Sequence, residues 1–175
     1  AFEVGSKPLA VCACGALLEY LKETQKHALP NIDSVKYISD RAYMQLDNAA
    51  VRNLELVKSM SEGKKYGSLL WLLDKTKTAM GARLLSGMIV SPLCSANEIN
   101  YRLDGVQELF DSTVVRVGVS DMLRQVKDIE RLTGKIAGGS IMPVDCLALA
   151  QSLLTVPNLN FQLTGFGSAI LKDIS

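Results

Sequence analysis

Apolar residues recur at helical spacing along most of the chain. Four stripes of this kind are evident: Cys14, Leu17, Leu18 and Leu21; Ile99, Leu103, Val106 and Phe110; Val115, Val119, Met122 and Val126; and Ile129, Leu132 and Ile136. Spacings of three and four residues place each set on one face of an amphipathic helix. The pattern predicts seven to nine helices joined by short connections, with no repeat of fixed length.

Three of the predicted helices occupy residues 46–93. Each begins after a residue whose side-chain oxygen can cap a helix N-terminus. These residues are Asp47, Ser68 and Thr78. The first helix is expected to continue through Val57. The second, Leu69–Leu73, is apolar on every side, so we expect other helices to surround it.

A glycine lies inside the third of these helices. Gly81 costs up to ~1 kcal/mol there relative to alanine, and close contact with a neighbouring helix is the expected reason for it. Ser91-Pro92 ends that helix. Ser95 and Glu98 then form the pattern of a capping box for the next one.

The helical pattern weakens between residues 35 and 46, where apolar and polar residues alternate around Ser39-Asp40-Arg41. Such alternation predicts two short strands. Further on, Pro143 suits the first position of a helix that ends near Thr155, and Pro157 interrupts the pattern before two more helical pieces. The sequence therefore predicts an all-α, irregular multi-helix core domain with at most a short two-stranded β clip near residues 35–46.

Composition and charge favour a globular chain with a core of its own. The 175 residues are 48% hydrophobic and 21% charged, which is typical of one domain, or one domain with an appendage. The net charge is only +1. A domain that binds DNA by itself usually carries a basic excess, because phosphate neutralisation supplies most non-specific affinity. That excess is missing, although a locally basic face remains open.

Few residues could carry chemistry. Four cysteines are present: Cys12, Cys14, Cys94 and Cys146. Their spacing does not fit a disulfide framework, and we expect thiols in a reducing, cytoplasmic setting. His27 is the only histidine, which excludes two-histidine metal sites. No phosphate-loop order is present, and no apolar run approaches the roughly 20 residues of a membrane span.

Three charged residues near position 130 could be considered as a catalytic cluster. On a helix, Asp128 and Arg131 lie at i and i+3 and are expected to pair, while Glu130 faces about 100° away. Paired carboxylates for acid–base catalysis need one cleft, which this spacing does not provide. We therefore expect an ion-pairing role, with contact to an adjacent domain as the alternative.

Two further sets of charged residues are candidates for contacts. Asp74 and Arg83 flank the central helices and are expected to bridge them. Lys64 and Lys65 lie in a predicted loop, where they are either solvated or in contact with a phosphate backbone. We predict no catalytic, cofactor-binding or metal-binding residue in this chain.

Three segments resemble, in order and spacing, the core (lever) domain of the MutS family of bacterial DNA mismatch recognition ATPases: LDNAAVRNLEL (46–56), SLLWLLDKTKTAMGARLL (68–85) and Pro92-Leu93. The likeness covers residues 10 to 160. It includes GALLEYLKETQK (15–26), which is similar to the opening helix of that domain, and Asp128–Leu132. Ala50 departs from the family pattern, which usually has threonine there.

The resemblance implies a helical core at residues 1–157 and the start of lever helices at 158–175, leading toward a clamp domain. It implies a role in DNA mismatch repair, in which the core couples the mismatch-reading end to the nucleotide-binding end. The parent protein would bind ATP and Mg²⁺ and hydrolyse the ATP. Its expected partners are mismatched duplex DNA, a second copy in a homodimer and the other domains of the same chain, with no membrane. The expected location is the bacterial cytoplasm.

Two rival hypotheses remain open at this point. The chain could be a free-standing helical module that binds a partner helix, or a small helical enzyme with an unrecognised site. The beginning at Ala1 without a methionine suggests instead a piece of a longer protein. A phosphate loop in the coding sequence downstream would favour the mismatch-repair hypothesis over both rivals.

Overall fold

The structure, a computed structural model, describes residues 8–25, 32 and 42–175. These residues form nine α-helices: α1 (Pro8–Gln25), α2 (Asn48–Asn53), α3 (Leu69–Leu73), α4 (Ala79–Val90), α5 (Ala96–Asp111), α6 (Thr113–Leu123), α7 (Ile129–Ala137), α8 (Pro143–Leu163) and α9 (Ala169–Ile174). The predicted all-α class is confirmed. Within the described part of the chain, no helix is both long enough and apolar enough to span a membrane.

The chain divides into two compact units, residues 1–40 and residues 41–175. In the first unit, α1 half-buries Cys14, Leu18 and Leu21 from the predicted stripe and exposes Leu17. In the second unit, α3 packs against α4, α5 packs against α6 and α9, and α8 packs against α6, α7 and α9. All the charged candidate residues named above lie in this second unit.

The predicted helix caps are confirmed. The Asp47 carboxylate accepts a hydrogen bond from the Ala50 N–H at 2.6 Å, and the Ser68 hydroxyl accepts one from the Trp71 N–H at 3.2 Å. The Thr78 hydroxyl likewise accepts from Gly81 N. Helix α2 ends at Asn53, however, so the expected continuation through Val57 is wrong. Glu55 adopts a φ of 50°, a left-handed conformation that cannot continue a right-handed helix.

The predicted β clip differs from what the structure contains. Its first strand, around Val35 and Tyr37, lies outside the described residues. The second segment pairs with the α4–α5 connection, through an antiparallel bridge between Tyr43 and Leu93. The Met44 N–H donates to the Pro92 carbonyl at 2.8 Å. This partner is about 50 residues away in sequence, and periodicity reports only local pairing.

Helix α3 is not surrounded by other helices within its unit. Leu70 is buried, but its four apolar neighbours in the helix are exposed: Leu69, Trp71, Leu72 and Leu73. A helix of five residues presents only one face to a neighbour, and here that face meets α4. The expectation of a fully buried helix was therefore wrong in the described unit.

The predicted apolar stripe on α5 is also exposed, from 38% at Ile99 to 67% at Phe110. The opposite face, which carries Gly105, packs against α9. The stripe prediction holds along α6, where Val115, Val119 and Met122 are half-buried and Val126 just beyond the helix is buried. On α7 it holds only in part, because Leu132 is buried but Ile136 is 49% exposed. Side-chain hydrophobicity thus identified the inner face of α6 and part of that of α7, and misassigned that of α5, where a glycine makes the contact.

Helix α8 runs without a break through Pro157, so the expected interruption is wrong. A proline inside a helix removes one hydrogen bond and clashes with the preceding turn. Packing of α8 against three neighbouring helices outweighs this local cost. The expected boundary between a core at 1–157 and lever helices at 158–175 falls inside this helix and stays a prediction.

Candidate functional site

Arg83 joins two helices that are distant in sequence. Its Nη1 donates to Oδ2 of Asp128 at 2.8 Å, and its Nη2 donates to Oδ1 of Asp128 at 2.9 Å. The same Nη2 also donates to Oε2 of Glu130 at 2.6 Å. Arg83 lies on α4, and both carboxylates lie at the N-terminus of α7. We call these three residues the Arg83 cluster.

The N-terminus of α7 explains why both carboxylates reach one guanidinium. Asp128 is the N-cap of the helix, with φ −71° and ψ 84°, and its Oδ1 also accepts from the Arg131 N–H at 3.2 Å. Asp128 stands outside the helix, so the helical spacing of about 100° per residue does not apply between it and Glu130. The two carboxylates can therefore face the same side. The expected ion pair between Asp128 and the Arg131 side chain is therefore wrong. The pairing with the Arg131 backbone replaces it.

Arg83 and Asp128 favour each other's charged forms. Hydrogen bonds from Arg83 lower the pKa of Asp128 from 3.8 to about 2, and Asp128 followed by Glu130 raises the pKa of Arg83. The Asp128 side chain is 20% exposed and that of Glu130 is 73% exposed. The bidentate pair with Asp128 is therefore the better shielded of the two contacts.

Asp74 has a partner other than Arg83. Its carboxylate accepts a hydrogen bond from the Lys65 ammonium, and also from the Thr76 N–H at 3.1 Å and the Thr76 hydroxyl at 2.6 Å. Lys65 and then Thr76 lower the pKa of Asp74 to about 2. With these partners Asp74 holds the 65–76 segment together, so the expectation that it bridges the central helices is wrong. Arg83 does connect two helices.

The two lysines proposed for a DNA backbone both face carboxylates. Lys65 pairs with Asp74, and Lys64 lies 3.3 Å from Oε2 of Glu62. The Lys64 and Glu62 side chains are both exposed, so their pairing is weak. Contact of either lysine with DNA stays a prediction.

A second junction, between α5 and α9, was not predicted from the sequence. A Cβ atom added to Gly105 would overlap Cγ2 of Ile170 and would lie 3.6 Å from Cγ of Leu171. One turn earlier on α5, the Tyr101 hydroxyl donates a hydrogen bond to the Asp173 carboxylate of α9. Residue numbers rise on α5 as they fall on α9, so the helices run antiparallel. We call this the α5–α9 junction.

Glu108 completes the α5–α9 junction at the other end. Its carboxylate accepts hydrogen bonds from the Gly167 N–H at 2.8 Å and the Ser168 N–H at 2.9 Å. Ser168 and Gly167 together lower the pKa of Glu108. A side chain 60 residues away in sequence thus supplies the negative charge that the N-terminus of α9 favours.

Gly81 does not mark a close contact between helices, as the sequence analysis expected. A Cβ on Gly81 would lie 3.0 Å from Oγ1 of Thr78 and 3.6 Å from Cβ of Thr76. Those atoms belong to the N-cap of its own helix and to the segment just before it, so among the described residues no neighbouring helix requires that glycine. The same expectation applied to Gly105, in the interior of the next helix, would have found the α5–α9 junction.

Helices α7 and α8 are joined by buried and half-buried polar contacts. Ser152 is fully buried; its hydroxyl donates to the Ala148 carbonyl at 2.8 Å and accepts from the Lys127 N–H at 2.9 Å. The Lys135 ammonium donates to both oxygens of Asp145, at 2.9 and 2.8 Å. Because Lys127 precedes Asp128, Ser152 also fixes the backbone that presents the Arg83 cluster.

These contacts suit mechanical connection better than catalysis. A general acid or base works best with a pKa near the working pH, whereas the pKa values of Asp74, Asp128 and Asp145 are all lowered by cationic partners. Among the residues that the structure describes, no three His, Cys, Asp or Glu side chains are grouped closely enough to hold a metal ion. What the site can do is hold α4, α7, α5 and α9 in fixed relative positions.

A family comparison identifies the chain. The model of MutS domain III matches residues 49–174, and that of MutS domain II matches residues 1–33. The chain belongs to the MutS family. The domain II match covers the segment that resembled the opening helix of the core domain. The domain III match contains the Arg83 cluster and the α5–α9 junction.

Three curated relatives named DNA mismatch repair protein MutS illustrate the relationship. The protein from Lachnoclostridium phytofermentans is 43% identical over 95% of this chain, and that from Ruminiclostridium cellulolyticum is 45% identical over 94% of it. The protein from Desulforamulus reducens is 44% identical over 96%. The chain spans only 18 to 19% of the length of these relatives.

Proposed function

We propose that this chain is the structural and allosteric core of a DNA mismatch recognition ATPase. In this proposal it couples the mismatch-reading and clamp end of the protein to the nucleotide-binding end, and performs no chemistry itself. ATP and Mg²⁺ bind to another part of the parent protein. That protein acts as a homodimer on mismatched duplex DNA in the bacterial cytoplasm.

The observation that carries this proposal is the Arg83 cluster. One guanidinium makes three hydrogen bonds to two carboxylates that are 45 and 47 residues away, and so connects α4 to the N-terminus of α7. Helices tied in this way move together, and packed helices transmit a displacement over tens of ångströms as rigid bodies. The membership in the MutS family and the names of the relatives support the same function.

A second candidate function is a free-standing helical module that binds a partner helix. The exposed stripe on α5, from Ile99 to Phe110, favours it, because amphipathic helices use such stripes to bind grooves and other helices. That function predicts a stable complex between this chain and a separate protein. The coupling function predicts that the parent protein works without one.

The coupling proposal is tested by Arg83→Gln in the full-length protein that carries this sequence. Two activities are measured: mismatched-duplex affinity without nucleotide, and the increase in ATP hydrolysis that the duplex causes. We expect the affinity and the DNA-independent hydrolysis to stay unchanged. The stimulation by mismatched DNA should fall by roughly fivefold or more, the usual scale of an allosteric coupling.

Lys22→Gln is the control for this experiment. Lys22 pairs with Glu19 at 3.8 Å, but both residues belong to the same turn of α1, so the pair connects no two helices. Equal effects of the two variants, or a loss of DNA-independent hydrolysis with Arg83→Gln, would contradict the proposal. So would ATP hydrolysis or nanomolar discrimination of a G·T mismatch by the 175-residue chain alone.

A further inference from the structure

An open, basic cleft of about 490 Å³ lies between the segment before α4 and helix α6. Lys75 and Lys77 line one side of it. Arg116 and Arg124 line the other side, together with the single acidic residue of the lining, Asp121. Four basic side chains against one carboxylate make this cleft strongly positive, while the whole chain has a net charge of +1.

The arginines of the cleft are held in place by the protein. Nη1 of Arg116 donates to the carbonyls of Leu109 and Phe110 at 3.1 and 2.7 Å, at the C-terminus of α5. Its guanidinium carbon also lies 5.7 Å from the centre of the Phe110 ring. Arg124 donates to Asp121 at 2.9 Å. The arginines therefore shape one wall and fix its positive charge.

The two lysines of the cleft differ from the other lysines of this region. Neither Lys75 nor Lys77 makes a hydrogen bond or ion pair within the described residues, whereas Lys64 and Lys65 have carboxylate partners. Both unpaired lysines are exposed. Six proton donors on two ammonium groups are thus available to a ligand at one wall of the cleft.

We propose that this cleft binds consecutive phosphate groups. Lysine ammonium groups bind phosphate as compact positive charges with several donors, and the Ser120 hydroxyl in the lining can add one more. The cleft is open and its walls carry no aromatic ring on which a base could stack, so recognition is by charge and is independent of base sequence. Its ligand is a nucleic-acid backbone or a small polyphosphate. This inference does not depend on the coupling function.

The test compares two double variants of the chain that lose the same charge. K75Q/K77Q removes the two unpaired lysines, and K58Q/K127Q removes two exposed lysines that lie outside the cleft. Binding is measured by fluorescence anisotropy with a short homoduplex DNA, and by calorimetry with inorganic tripolyphosphate and with polyglutamate. Circular dichroism checks that both variants keep the helical content of the original chain.

We expect K75Q/K77Q to weaken binding of both phosphate ligands by roughly tenfold at low salt. For the duplex, the slope of log Kd against the logarithm of the salt concentration should fall by about 1.8, the value for two lost phosphate contacts. K58Q/K127Q should leave both unchanged. Loss with the duplex alone would support a nucleic-acid backbone as the ligand, and loss with tripolyphosphate alone a small polyphosphate. No binding at low salt, an equal loss in the control, or the same lysine-dependent binding of polyglutamate would overturn the proposal.

Discussion

The Arg83 cluster and the α5–α9 junction both connect distant parts of the chain, but they use different physics. At the centre of the α5–α9 junction, between the hydrogen bonds of Tyr101 and Glu108, the backbone of Gly105 is in contact with Ile170 and Leu171, and position is fixed there by steric exclusion. At the Arg83 cluster, partly exposed charged groups meet at 2.6 to 2.9 Å, and position is fixed by charge and hydrogen-bond geometry.

The two kinds of contact differ in how strongly salt and pH change their stability. Close packing does not adjust gradually, because interiors are as dense as organic crystals. Its strength is also nearly independent of salt and pH. Exposed ion pairs are individually weak and are sensitive to both. The chain therefore has a rigid contact at α5–α9 and an adjustable one at α4–α7.

The largest effect is expected from Gly105→Ala, which tests the rigid side of the comparison. A Cβ at this position overlaps the branch methyl of Ile170, which is stiff on a helix. Overpacking of this kind costs up to about 3 kcal/mol, and alanine regains up to about 1 kcal/mol of helix propensity. We expect a net loss of about 2 kcal/mol in the free energy of unfolding, measured by urea denaturation.

Gly118→Ala on α6 is the matched control, since a Cβ at Gly118 meets no atom within 4 Å. Here only the propensity gain should remain, so the chain should become more stable by up to about 1 kcal/mol. Equal shifts in the two variants would mean that helix propensity, and not contact with α9, decides the effect. The α5–α9 junction would then not be rigid.

The sequence predicted the fold class because helical spacing is a local signal. Asp47, Ser68 and Thr78 were found as caps for the same reason, since a cap needs only the residues that follow it. The bridge between Tyr43 and Leu93 depends on the path of the chain through α2, α3 and α4. No local pattern records such a pairing.

The candidate site was predicted in part. Arg83, Asp128 and Glu130 were all selected as charged residues of the central helices, but their mutual contacts were not. The prediction assumed that Asp128 lies within the helix, where Glu130 would face in a different direction. Asp128 is the N-cap and stands outside the helix, so the two carboxylates can face the same guanidinium. Gly105 was missed because the inner face of that helix was assigned from its apolar side chains alone, and a glycine has none.

A smaller effect is expected from Ser152→Ala, which loosens the support of the Arg83 cluster. The change leaves the Lys127 N–H without its acceptor in a part-buried setting. A buried unsatisfied donor costs about 1 to 3 kcal/mol. Because the Lys127 N–H is only part-buried, we expect a loss of about 1 kcal/mol in the free energy of unfolding. Thr155→Ala is the control, because its hydroxyl donates only to the Gln151 carbonyl of its own helix. Loss of stability in both variants alike would show that Ser152 does not join α7 and α8.

The smallest effect is expected from Asp128→Asn, and it should depend on pH. The pKa of Asp128 is lowered from 3.8 to about 2, so the unfolded chain binds more protons than the folded chain between these values. Stability contributed by this group is therefore complete above about pH 5 and is lost as the pH falls toward 2. Near neutral pH we expect the variant to melt about 2 °C lower.

This difference in melting temperature should close as the pH approaches 2 and should narrow as salt is added. Asp74 also has a pKa of about 2, but it is present in both proteins and cancels from the comparison. Gly105→Ala should show the opposite behaviour, with a loss that is the same at each pH and salt concentration. If the effect of Asp128→Asn were equally constant, the Arg83 cluster would be held by packing, and the distinction between an adjustable and a rigid contact would fail.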